Sequence, residues 1–173
     1  MHLRPEDSRL HYKIAVTYHA EGQWERAIRQ IDSALKLFPG QPDYNRLAGE
    51  CHARLKQWQQ AIDHLALVVR SRPKTAASWE ALTSCLFEAG AHAEALKQSM
   101  LAYESTGKKP LFLFYQAAAS FAMARFSDGL ETLNEAMEAA PKMLKRFMVL
   151  YPAALQHPAV VDLLARFKRR RSF

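Results

Sequence analysis

Two cysteines, six glycines and no apolar run approaching the roughly 20 residues of a membrane span set the first limits on this 173-residue chain. Two thiols cannot build a disulfide framework. Cys51 and Cys85 also lie 34 positions apart, at equivalent points of neighbouring helix pairs in the pattern described below. Packed helices sit about 8–10 Å apart, which is beyond disulfide reach. Both read as small buried core residues in a reducing compartment. There is no CxxC, no histidine pair at metal-binding helical spacing, no phosphate-cradling glycine loop and no G-x-S-x-G elbow. The seven histidines are scattered, and acidic pairs such as Glu6-Asp7 fall on solvated ends. No enzyme activity, cofactor or metal is therefore expected. The start, Met1-His2-Leu3-Arg4-Pro5-Glu6-Asp7, has neither the apolar core nor the cleavage site of a secretory leader, so a cytoplasmic setting is expected.

Charge is unevenly placed. The net charge is +7, but eight basic residues and only one acid, Asp162, lie from Lys142 onward, leaving 16 of each sign in residues 1–141. A neutral body with a cationic end does not make nucleic acid the expected partner, because a basic helix end suits the helix dipole and a terminal charge run is usually solvated. Association of RNA or an acidic surface with Arg166 and Lys168 to Arg171 remains an alternative reading, one that requires salt-sensitive binding.

What is present is a repeat. Residues 34 apart match without insertion: Pro5, Pro39, Pro73, Gly107 and Pro141 form a column of helix breakers. Trp24, Trp58, His92 and Phe126 form an aromatic column, and Ala27, Ala61, Ala95 and Gly129 a small-residue column that lets two backbones approach. Ala34, Val68, Ala102 and Ala136 form another, as do Ala15, Gly49, Thr83 and Ala117. Between the breakers apolar residues recur at helical spacing, as in Ile14, Tyr18, Ala27, Ile31, Ala34 and Leu35, and nothing reads as a strand. Each unit is two helices of about 13 residues joined by a short turn, glycine-marked at Gly22 and Gly90. The expected organisation is 1–7 as the tail of a preceding unit, four units at 8–41, 42–75, 76–109 and 110–143, and capping helices with a basic tail at 144–173.

These columns resemble the tetratricopeptide repeat over nearly the whole chain, with Trp79, Leu82 and Tyr18 fitting its pattern, Ala48-Gly49 keeping only its glycine, and His52, Ser120, Gln116 and Gly107 departing from it. The resemblance implies an all-α fold: a right-handed α-solenoid of antiparallel helix pairs, closed by a C-terminal capping helix pair. The segment Phe147 to Leu164 resembles the end of long bacterial arrays of this kind, notably from Bacteroidetes. Met1 to Asp7 align with the last positions of a repeat, so the chain is expected to be the C-terminal part of a longer array. In that case the apolar face at Ser8 to Ala20 would drive homodimerisation through the array ends.

The resemblance also implies function: a non-catalytic scaffold that binds a peptide or partner protein in a concave groove lined by the first helix of each pair. The groove residues are then Tyr12, Lys13, Arg46, Glu50, Arg54 and Glu80, turning aromatic at Phe87, Phe114, Tyr115 and Phe121. Tyr12, Val16, Leu47, Ala77 and Ala81 stand where chaperone-tail binders of this family carry a carboxylate clamp, so no such clamp is expected. A type III secretion chaperone, of similar length in this family, is the alternative within binding proteins. The opposite reading of Leu111-Phe112-Leu113-Phe114-Tyr115 is an apolar helix packed by its neighbours or by the C-terminal cap.

Overall fold

The four aromatic-column residues each open a helix of 14 residues, so the repeat in the sequence becomes a repeat of helix boundaries. The computed structural model describes the backbone of residues 5–171 and the side chains of residues 7–170. In chain order the helices are α1 (Pro5–Ala20), α2 (Trp24–Leu37), α3 (Pro42–Arg54), α4 (Trp58–Ser71), α5 (Ala76–Glu88), α6 (His92–Ser105), α7 (Leu111–Ala122), α8 (Phe126–Ala139), α9 (Leu144–Leu150) and α10 (Pro158–Arg171). Short 3-10 turns at Pro141–Met143 and Pro152–Gln156 flank α9. No strand occurs among the described residues. The expected all-α class holds, with one difference at the start: α1 begins at Pro5 rather than near Ser8, because proline with its preset φ suits a first helical turn. Residues 1–4 lie outside the described residues.

The turn between the two helices of a pair is the same each time. Gly22, Lys56, Gly90 and Ala124, each 34 residues from the next, have φ of 72°, 57°, 78° and 58°. The backbone must turn left-handed there whatever the side chain, and glycine at two of the four avoids the Cβ clash. Lys56 and Ala124 bear that cost, which is why the sequence alone marks only half of these turns.

The chain divides into two compact units, Met1–Ala89 and Gly90–Phe173. In the first, α1 packs on α2, α2 on α3, α3 on α4 and α4 on α5. Its core contains Ala15, Ala27, Ile31, Ala34, Tyr44, Leu47, Ala48 and Cys51, with Tyr12, Tyr18, Ile28 and Leu35 against it. The small-residue columns are the contact points: at Gly49 a Cβ would stand 2.7 Å from Leu65 Cγ and 3.3 Å from the Ala61 carbonyl oxygen. Polar residues tie the helices at repeating places. The buried Asn45 amide donates to the Pro39 carbonyl at 2.7 Å, and one repeat later the Trp79 indole N–H donates to the Pro73 carbonyl at 2.6 Å. Likewise His11 Nδ1 meets Gln30 Oε1 at 2.8 Å, and His64 Nδ1 meets Asn45 Oδ1 at 2.9 Å. The same position pair is used in both repeats, with imidazole and amide exchanged between helices.

In the second unit α7 lies between α6 and α8, α9 packs on α7, and α10 packs on α8. Helix α7 is buried nearly all round, from Leu111 to Tyr115 and from Ala117 to Phe121. Phe147 of α9 and Val160 and Phe167 of α10 are buried, so the capping segment contributes real core.

Replacing Ala124 with Gly should remove the left-handed penalty and raise unfolding stability by about 1 kcal/mol. Gly22→Ala should lower it by a similar amount, both read from urea unfolding curves.

Candidate functional site

Equivalent positions along α3 and α5 hold Glu50 and Ser84, then one turn further Arg54 and Glu88. With His19 of α1, Ala53 of α3, Leu65 of α4 and Ala81 and Cys85 of α5, these four line an open cavity of about 310 Å³. Its floor is apolar and its rim charged. Glu50 is held by Arg46 at 2.7 Å, one helical turn back, and lies 3.7 Å from His19 Nε2. Arg54 places its guanidinium 5.8 Å from the centre of the Trp24 ring, whose plane also receives the edge of His19 at 5.0 Å between centroids. Glu88 accepts a hydrogen bond from the Ser84 hydroxyl at 3.1 Å.

Beneath this rim the two thiols are free and buried. Burial first, and then the neighbouring carboxylate of Glu50 or Glu88, pushes each thiol up to about 11. Neutral thiols of this kind are poor nucleophiles and behave as small apolar side chains.

The other expected groove residues divide by environment. Lys13 is exposed; Tyr12 is half-buried and stacks on Tyr44 with centroids 4.9 Å apart. Arg46 and Glu80 are half-buried. The aromatic stretch is where the groove expectation gives way: Phe87, Phe114, Tyr115 and Phe121 are buried, at 8%, 2%, 8% and 3% exposure. In the second unit Phe114 and Phe121 both pack on Phe147, with centroids 6.2 Å apart, and Phe121 stacks on Tyr151 at 6.4 Å. The Phe121 ring also fills the space where Gly129 lacks a side chain; a Cβ there would stand 2.9 Å from it. Phe114 and Phe121 form a core with Phe147 and Tyr151 of the capping segment, because apolar stripes at helical spacing bury against whatever apolar surface follows them in the chain.

Sequence reasoning put Glu50, Arg54 and Glu80 on the groove but did not gather the lining residues into one cavity. The signal was present in the 34-residue offset between Glu50 and Ser84 and between Arg54 and Glu88. At the other end, two of the basic residues of α10 are paired, Arg166 with Asp162 at 2.9 Å and Arg170 with Glu138 at 3.7 Å. On α1, Leu10 and Val16 are exposed at 58% and 41%, while Ser8 and Ala15 are buried. No group of three or more His, Cys, Asp or Glu that could hold a metal occurs among the described residues. No described helix is long and apolar enough to cross a membrane.

With the geometry in place, the comparisons with known proteins agree on the architecture. The sequence profile of the tetratricopeptide repeat matches residues 18–85. Residues 18–85 thus carry the tetratricopeptide repeat. The fold of the chain is similar to that of the MamA crystal structures. One, described as MamA protein, has a TM-score of 0.76 at 16% identity, covering 96% of this chain and 90% of that one. Another, the 41-end piece of MamA from Desulfovibrio magneticus RS-1, has a TM-score of 0.73 at 16% identity and 96% coverage of both chains. At such identity the likeness carries the helical-repeat fold and nothing about ligands. No curated protein matches the sequence.

Two outcomes follow for this repeat protein. Phe121→Ala should destabilise it by about 3–5 kcal/mol, the cost of emptying a buried aromatic site, and should lower the melting temperature clearly. His64 gives a pH dependence: burial first, then the charge of stacked His52, holds its pKa below the ordinary 6.5, while Asp32 and Asp63 pull the other way. The unfolded chain takes up that proton first, so stability present above about pH 6.5 is lost as pH falls through and below that value. His64→Gln, which installs the residue found one repeat earlier at Gln30, should flatten the decline seen in urea unfolding between about pH 7.5 and pH 5.5.

Proposed function

We propose that this repeat protein is a non-catalytic scaffold that holds a partner protein or peptide on the face made by α1, α3 and α5. The observation that carries this reading is the meeting of His19, Glu50, Arg54, Ser84 and Glu88 around one cavity with an apolar floor. Binding clefts combine an apolar surface with a few polar groups that fix orientation, and volumes of about 300–1,000 Å³ are usual. The tetratricopeptide architecture supports protein partners in general. Arg46, Glu80, Tyr12 and Lys13 extend the same face and would contact flanking parts of the ligand. The buried rings of Phe87, Phe114, Tyr115 and Phe121 act through packing in this reading, not by contact with the ligand. Two free buried thiols agree with a reducing, cytoplasmic setting.

The test is capture of partners from the source lysate by the intact chain and by a Glu50→Lys/Arg54→Glu variant shown by circular dichroism to stay helical. A specific partner should bind the variant at least about tenfold more weakly, the effect of losing central interface contacts. Retention of every partner at full strength would remove this face from the function.

A further inference from the structure

We propose that the cavity between α1, α3 and α5 is a subsite for the cationic side chain, lysine or arginine, of a bound peptide; this rests on the scaffold reading above and adds the ligand's chemistry.

In this cavity a carboxylate without an ion-pair partner lies beside an apolar wall. Three ionised groups line the cavity: the carboxylates of Glu50 and Glu88 and the guanidinium of Arg54. Arg54 lies over the Trp24 ring, 5.8 Å from its centre, where the electron-rich face of the indole already receives its positive charge. Glu50 has its own guanidinium, that of Arg46 at 2.7 Å. Glu88 has only a hydroxyl: Ser84 donates to it at 3.1 Å, and among the described residues no cation comes within ion-pair distance. Of the two cavity carboxylates, Glu88 is therefore the one without a counter-charge among the described residues.

Its floor fits the other half of such a ligand. Leu65, Ala53, Ala81 and the neutral thiol of Cys85 present aliphatic and sulfur surface next to the Glu88 carboxylate. Lysine and arginine have the matching form, an apolar stem ending in a charge, and they gain most when the stem lies on apolar surface with the head at its polar edge. A ligand carboxylate in the cavity would share it with the carboxylates of Glu50 and Glu88.

The test is a titration of the intact, isotope-labelled protein followed by 1H–15N NMR, using three probes that differ only at the side-chain end: Nα-acetyl-lysine methylamide, Nα-acetyl-norleucine methylamide and Nα-acetyl-glutamate methylamide. The lysine probe should shift the amides of Glu50, Arg54, Ser84 and Glu88 and bind about threefold or more tightly than the norleucine probe, the scale of a partly exposed ion pair. In Glu88→Gln the lysine and norleucine probes should become equal, with the spectrum elsewhere unchanged. The glutamate probe should bind most weakly. Equal binding of lysine and norleucine to the unaltered protein, tighter binding of glutamate, or no binding of any probe would overturn the proposal. Because the probes read the cavity alone, their failure is separable from failure of the scaffold reading, which the partner capture decides.

Discussion

The structure depends on how closely the two helices of a pair can approach, as α1 and α2, α3 and α4, and α7 and α8 do within the two units. Ala27, Ala61 and Gly129 on the second helices, and Ala15, Gly49 and Ala117 on the first, are buried because any larger residue would push the helices apart. At Gly49 the available room is less than one methyl group. Close approach in turn fixes the connection: a three-residue link between antiparallel helices this near must reverse the chain sharply, and a left-handed residue at the same point, Gly22, Lys56 or Ala124, does so. That geometry overrides side-chain preference at Lys56 and Ala124, so the turn is a consequence of the packing and not of glycine.

Once the approach is fixed, the rest of each pair is a matter of which side chains face which neighbour. The 34-residue offset brings equivalent residues side by side, and this is how polar contacts come to recur. Asn45 and Trp79, chemically unlike, satisfy equivalent proline carbonyls. His11 with Gln30 and Asn45 with His64 make the same bridge with donor and acceptor types exchanged. The same offset puts Glu50 and Ser84, and Arg54 and Glu88, at equivalent points of α3 and α5, so the charged rim of the cavity follows from the repeat that builds the core.

The helix pairs were legible in the sequence because small residues, aromatics and breakers repeat without a gap, and a helix needs only local spacing to declare itself. Lys56 and Ala124 were not legible as left-handed turns, since neither residue prefers that conformation. The aromatic run Leu111 to Tyr115 suited both a groove wall and a packed helix. Its fate depended on Phe147 and Tyr151, which lie about one repeat later in the chain and carry no periodic mark. The cavity was half legible: its charged residues sit in register, but the pairing of Arg54 with Trp24 and the absence of a cation at Glu88 depend on side-chain placement that no spacing rule supplies.

The most direct measurement on the central claim, that partners lie on the first-helix face of α1, α3 and α5, is site-specific photo-crosslinking in the source cell. A photoreactive residue at Ala81, on the cavity wall, should trap a partner protein, while one at Leu67, exposed at 44% on the second helix α4, should not. Trapping from Leu67 and none from Ala81 would contradict the account and move the binding face to the opposite side of the helix pairs.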